Sequence, residues 1–283
     1  MTQSKSLMDI FEERLVSEQL NLPIFHRVAL ELQQMVARDD FDIEQATRLI
    51  AEDQALASRL LREANSSFYS GLKKAVTLRD AVVRLGTREA ANLVMLETQK
   101  KTYRSEIPLI QGYMEELWRH ALGCAKAAQW LAMKTGSAEL KAEAFLGGLM
   151  HDIGKLFLLK VLEEVATTEP ATPLSDALVT EILDNLHIEH GTRLMSHWNM
   201  PEIYTDVIQN HQAEAFDTNN VLLTIVRLAN RACHKMGLGL CHDPEIILGA
   251  CSEAQILTSN EILLAELEIM LEDTFMADEA VNA

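Results

Sequence analysis

Ten residues, GGLMHDIGKL from Gly147 to Leu156, restrict the fold more than any other stretch of the chain. They set His151 beside Asp152, with two glycines before the pair and Gly154 and Lys155 after it. An imidazole and a carboxylate can share one divalent metal. Neighbouring residues on a helix, however, point about 100° apart, so this pair cannot chelate as an i,i+4 pair would. A metal held there needs ligands from other helices, and glycine is the residue that lets those helices come close enough to supply them. The run therefore predicts a chain whose distant segments converge on His151 and Asp152.

Those segments read as helices. The 283 residues contain only six prolines and twelve glycines, with no alternating strand pattern. In IFHRVALELQQMVA, which follows Pro23, the apolar residues Val28, Leu32, Met35 and Val36 recur at helical spacing. Asp42 with Gln45 three residues on has the form of a capping box opening a second helix. A third starts at Asp53 and ends in a polar turn through Asn65 to Gly71. Thr77 with Asp80 opens a fourth, which Gly86 closes before Thr87 opens the next. Pro108 marks a joint. Beyond it lie the segment 111–136 with Tyr113, Leu117, Ala121, Cys124 and Ala128 on one stripe, the segment 138–165 carrying the central run, a break at Pro170 and Pro173, and helices over 177–198, 201–212 and 221–237. The expected fold is all-α and two-lobed, with residues 1–105 as an N-terminal helical bundle and 106–283 as a second helical lobe ending in an acidic helix.

Charge and composition narrow the function. No run of about 18 apolar residues is free of charge, and the N-terminus is acidic and polar, which predicts a soluble cytoplasmic chain with no membrane insertion. Four unevenly spaced cysteines predict reduced thiols rather than a disulfide framework. Residues 1–100 hold 13 basic and 15 acidic side chains, leaving 12 and 27 for the remainder. The last segment, 252–283, has eight acidic residues and no Lys or Arg, so it repels a phosphate backbone, which argues against direct nucleic-acid binding by the C-terminal half. Its apolar positions Leu263, Leu264, Leu267, Ile269, Met270 and Leu271 predict packing on the body or on a second subunit in a homo-oligomer.

Candidate ligands for the central pair come from several helices. Glu116 and His120 are i,i+4 neighbours on one face, His187 and His190 are i,i+3, His197 lies two turns after His190, and His211 ends the following helix. A separate cluster sets Cys233 and His234 eight residues before Cys241 and His242. That spacing is not a usual zinc pattern, and a helix end followed by a glycine loop explains it more simply.

The segments LPIFHRVALELQQMV, RLIAEDQALASRLLREANSSFYS and TLRDAVVRLGTREAANLVM resemble the N-terminal lobe of HDOD proteins, the "HD-related output domain" of bacterial signalling. AEAFLGGLMHDIGKLFL and EHGTRLMSHWNMPEIYTDVIQNHQ resemble that family's second lobe, itself similar to the metal-dependent HD phosphohydrolases and the HD-GYP cyclic-di-GMP phosphodiesterases. The five segments run from Leu22 to Gln212.

The resemblance implies a metal set in which His120, His151 and Asp152 match the family's first three ligands. Asn230 stands where an active enzyme has Asp. Glu116, His190 and His211 match the ligands of additional metals in the HD-GYP enzymes, but Gln212 replaces the second residue of a His-His pair and no GYP sequence follows. An amide in place of a carboxylate removes a ligand charge and weakens metal binding. The resemblance thus implies a signal-transduction protein that binds and relays, with a partly retained site for Fe, Mn, Zn or Ni and a signalling protein or a small phosphorylated ligand as partner. The alternative is a metal-dependent phosphohydrolase acting on a nucleotide or cyclic dinucleotide, in which Asp152 bridges metals and Lys155 offsets phosphate charge.

Overall fold

The computed structural model describes residues 26–38, 40–66, 73–168, 174–258 and 260–282, with Phe11, Leu15 and Tyr69; from 277 onward it describes the backbone alone. No strand occurs among these residues, and the chain is all-α. It divides into two compact units, a smaller one of residues 23–102 with 198–201 and a larger one of residues 1–22, 103–197 and 202–283. The division is not a single cut at the proline joint, because the chain re-enters the smaller unit for four residues.

The smaller unit contains α1 (Arg27–Ala37), α2 (Ile43–Ala51), α3 (Gln54–Ala64), α4 (Leu78–Leu85) and α5 (Thr87–Thr102). Its helix starts follow local side-chain chemistry. Asp42 accepts from the backbone N–H of Glu44 and Gln45, and Asp53 from those of Ala55 and Leu56. Thr77 and Asp80 form a reciprocal capping box, each satisfying a free N–H at the start of α4. Gly86 ends that helix at φ +89°, a value that glycine adopts without strain. His26 is the exposed N-cap of α1 and carries no site. Asn65 pins the chain after α3 by bonding both the N–H and the carbonyl of Ala75. Pro23, the rest of the turn to Gly71, Pro170 and Pro173 lie at or against residues outside those described.

The larger unit is built around α6 (Pro108–Lys134), whose first residue is the proline of the joint. On it pack α7 (Lys141–Met150), α8 (Ile153–Thr168), α11 (Val221–Lys235) and α13 (Glu261–Asn282), while α9 (Asp176–His197) packs on α8 and α10 (Glu202–Asn210) on α9. A six-residue helix, α12 (Ser252–Leu257), sits against α11. The acidic α13 buries Leu264, Leu267, Leu271 and Phe275 and exposes Ile262, Ile269 and Met276. Its apolar face is therefore used on the body of its own unit.

Glycine sets the closest approaches. A Cβ on Gly148 of α7 would lie 2.5 Å from the Cys124 carbonyl oxygen of α6, and one on Gly154 of α8 would lie 1.9 Å from the His187 carbonyl oxygen of α9. Backbone meets backbone at both places. These two glycines flank His151 and Asp152, so they bring α6 and α9 against the residues that need outside ligands.

Candidate metal centre

His151 and Asp152 do not lie within one continuous helix, as the sequence periodicity suggests, but in the break between α7 and α8. The backbone restarts at once, with the Lys155 N–H bonded to the Asp152 carbonyl at 2.9 Å. His151 itself keeps helical dihedrals as the C-cap of α7, and its Nε2 lies 3.4 Å from Asp152 Oδ2.

Four histidines surround the buried Asp152 carboxylate. His120 Nε2 and His151 Nε2 stand 3.6 and 3.4 Å from Oδ2, and His187 Nε2 and His211 Nε2 stand 3.7 and 3.4 Å from Oδ1. In all four the other ring nitrogen, Nδ1, meets a backbone carbonyl: Leu238 at 2.9 Å, Gly148 at 2.8 Å, Leu183 at 2.7 Å and Ile208 at 2.8 Å. A carbonyl only accepts, so each Nδ1 must carry a proton, and in the neutral ring this leaves a bare Nε2 lone pair turned inward. His120 Nε2 and His151 Nε2 face each other at 3.1 Å, lone pair to lone pair.

Such a set of acceptors lacks donors. Asp152 Oδ1, His187 Nε2 and His211 Nε2 are buried without a hydrogen-bond partner, as is Asn230 Oδ1. Buried polar atoms are rarely left so. A divalent cation is the natural complement, and the spacing fits one: bonds of about 2.1 Å place neighbouring donors roughly 3.0 to 3.4 Å apart, close to the separations found. Two triads can hold an ion, His120 with His151 and Asp152, and His187 with His211 and Asp152, so that Asp152 belongs to both.

Electrostatics keep the set in its metal-binding form. Burial lowers the pKa of His120 to about 3 and that of His187 to about 4, and lowers that of His211, so these rings stay neutral. Burial alone would raise the Asp152 carboxyl, but the Lys155 ammonium beside it holds it well below the usual carboxylate range. Lys155 Nζ donates to Asp152 Oδ2 at 2.9 Å.

Other candidates from the sequence lie elsewhere. His190 points away from the cluster, its ring stacked on Phe157 at 5.5 Å. The histidine of α9 at the centre is His187, on the same face as Gly191, the residue of α9 that meets Gly154. Glu116 is half-exposed one turn before His120, bonded to Arg119. His197 is exposed at the end of α9. Asn230 is buried on α11, one turn before His234, whose ring stacks on His120 at 5.1 Å. His234 was visible in the sequence only as part of the cysteine cluster. Gly239, at φ +110°, lets the loop after α11 pass over His120, where a Cβ would come within 2.7 Å of the His120 Cβ.

The cluster opens on one side to a cavity of about 980 Å³ whose wall includes His120, Asp152, Lys155 and His234. Toward the mouth stand Tyr113, Asp176, Asp184, Gln212 and His242. Tyr113 Oη lies 2.8 Å from both Asp176 Oδ1 and Thr180 Oγ1. The carboxylates of Glu116, Asp152, Asp176 and Asp184 outnumber the single lysine, so the cavity repels a free anion. No helix among the described residues is long and apolar enough to cross a membrane.

Comparison with known proteins places this geometry. The family model described as "HDOD domain" matches residues 22–214. A Treponema pallidum (strain Nichols) protein named only as uncharacterized is 25% identical over 217 residues, 74% of this chain and 42% of the relative, so the chain spans less than half the length of that curated relative. Among solved structures, an HDOD domain protein of unknown function from Geobacter sulfurreducens aligns with TM-score 0.71 at 22% identity, covering 93% of this chain and 94% of its own. A proposed metal-dependent phosphohydrolase from Shewanella amazonensis SB2B aligns at 0.62 and 21%, covering 82% of each chain. A proposed signal transduction protein from Marinobacter aquaeolei VT8 aligns at 0.65 and 20%, covering 99% of this chain and 66% of its own. These structural likenesses are of fold.

Proposed function

This chain belongs to the HDOD family, and on that premise we propose that it is a bacterial signal-transduction protein whose larger unit binds a small phosphorylated ligand at a divalent metal and relays that binding to a partner protein. The observation that carries the reading is the convergence of four unprotonated Nε2 atoms on one buried carboxylate at the wall of a cavity. His120, His151, His187, His211 and Asp152 would hold the metal, and imidazole with carboxylate suits Fe, Mn, Zn or Ni. When bound, a divalent ion supplies positive charge and polarises a phosphoryl oxygen. Lys155 lies on the same wall, where its ammonium bonds Asp152 and would face the phosphate of a bound ligand. The carboxylates at the mouth make ligand entry depend on the cation, because the cavity lined by protein alone is net acidic.

Relay is favoured over turnover by two residues. Asn230 supplies a neutral amide where the resemblance implies a carboxylate, and Gln212 stands exposed at the cavity where it implies a further imidazole. Both changes lower the negative charge or donor strength available to a second ion. Phosphohydrolysis is the second reading, favoured by Asp152 belonging to both triads and by Lys155 beside it. Incubating metal-loaded protein with a panel of nucleotides and cyclic dinucleotides separates them. Binding without release of cleaved product supports relay. Release of product that stops in Asp152→Ala transfers the assignment to hydrolysis.

A further inference from the structure

The larger unit holds two buried thiols that the Asp152 centre does not use. Cys124 of α6 and Cys233 of α11 are both fully buried, far apart in sequence, and free. Together with His120 they place three donor atoms within 4.8 Å of one another. We propose that Cys124, Cys233 and His120 form a second metal site, a soft one, that takes zinc or another thiophilic divalent ion through two sulfurs and one nitrogen.

The helices deliver these atoms to one point. Cys124 follows His120 by four residues on α6, so both project from the same face. Its Sγ lies 3.6 Å from His120 Nε2. That is the edge expected of a tetrahedral site, since bonds of about 2.3 Å to sulfur and about 2.0 Å to nitrogen at a tetrahedral angle separate the two donors by about 3.6 Å. Cys233 comes from the facing helix, one residue before the His234 whose ring stacks on His120. Gly123 leaves room for its sulfur, because a Cβ there would lie 3.1 Å from Cys233 Sγ. His120 is already turned for the task, with Nδ1–H spent on the Leu238 carbonyl and Nε2 bare.

Charge suits the burial. Two thiolates neutralise a divalent ion without any other group, which is the arrangement a dry interior tolerates. Uptake replaces the two thiol protons: the two S–H bonds break, two metal–sulfur bonds form, and two protons leave to solvent with no change of oxidation state. Because His120 Nε2 can serve one ion at a time, the soft site competes with the His120–His151–Asp152 triad for that ligand. The proposal does not rest on the relay reading, nor on metal at Asp152.

Cobalt(II), added to the full-length metal-free protein, reports the two sites separately, since only thiolate ligation gives intense near-ultraviolet sulfur-to-cobalt absorption. That band is expected in the wild type and in Asp152→Asn, displaced by zinc. It is expected to persist when the less buried thiols are removed by Cys241→Ala and Cys251→Ala, and to vanish in Cys124→Ala and in Cys233→Ala. Either alanine variant that keeps its far-ultraviolet dichroism suffices. Wild-type protein that shows no band at saturating cobalt overturns the proposal, as does a band that survives both Cys124→Ala and Cys233→Ala. Full retention of cobalt in Asp152→Asn with the band intact would instead count against the Asp152 centre alone.

Discussion

The two units treat buried polar groups in opposite ways. In the smaller unit Gln33 and Asn92 are both buried, and the Gln33 amide donates to Asn92 at 2.9 Å, donor matched with acceptor. In the larger unit Asp152 and four histidines bring acceptors together, with Lys155 as their one ammonium. A satisfied buried pair holds a fold together, whereas a set of like partners needs something from outside. By that measure the smaller unit's buried pair is structural, while the larger unit's set is one that could hold a cation.

The strongest way to break this contrast is to remove the close packing that makes the receptor. Gly154→Ala drives a Cβ into the His187 carbonyl, with backbone on both sides and no flexible atom to yield. We expect a loss of about 3 kcal/mol or more in urea unfolding, together with loss of bound metal. Gly112→Ala is the control. Nothing lies within 4 Å of its Cβ, and the change should raise stability by up to about 1 kcal/mol.

The next pair of variants should separate the two cores. Asn92→Ala leaves the Gln33 amide without its acceptor and should cost about 1 to 3 kcal/mol, with metal content unchanged. Asp152→Asn should do the reverse, emptying the centre in elemental analysis while the metal-free protein keeps its far-ultraviolet dichroism. If Asn92→Ala lost metal and Asp152→Asn kept it, the contrast between the units would be gone.

Acid should act on the larger unit first. In the folded chain His120 and His187 have pKa values of about 3 and 4, below the ordinary 6.5 of the unfolded chain. As pH falls the unfolded state takes up these protons first. Stability is therefore complete above about pH 6.5 and is lost progressively from there toward pH 4. Equilibrium unfolding of metal-free protein across that window should show the decline, and His187→Ala should flatten it. A smaller gain is expected from Asn230→Asp, which adds a carboxylate to the buried face of α11. Metal affinity should rise by about tenfold, read by competition with a chelator.

Much of the fold was legible because helix ends are written locally. Asp42, Asp53, Thr77 with Asp80, and Gly86 each act within a few residues, so sequence alone placed those boundaries. The site was legible only in part. The glycines around His151 announced close crossings, and His120 and His211 were chosen by spacing and by the family's pattern. What the sequence could not supply is the rotation of one helix against another. His187 and His190 differ by three residues, yet only the phase of α9 against α8, fixed where Gly191 meets Gly154, decides which of them turns to Asp152. No proline or polar turn marks the break at His151 in the sequence. The Cys124 and Cys233 pair joins residues more than a hundred positions apart, for which periodicity carries no signal.

That rotation of α9 gives the most direct test of the centre. Metal per chain should be measured in the wild type, His187→Ala and His190→Ala, each loaded with the same ion and freed of excess. The account predicts metal in the wild type and in His190→Ala and a marked loss in His187→Ala. Equal retention in both variants, or loss in His190→Ala alone, would contradict a centre built from the Nε2 atoms around Asp152.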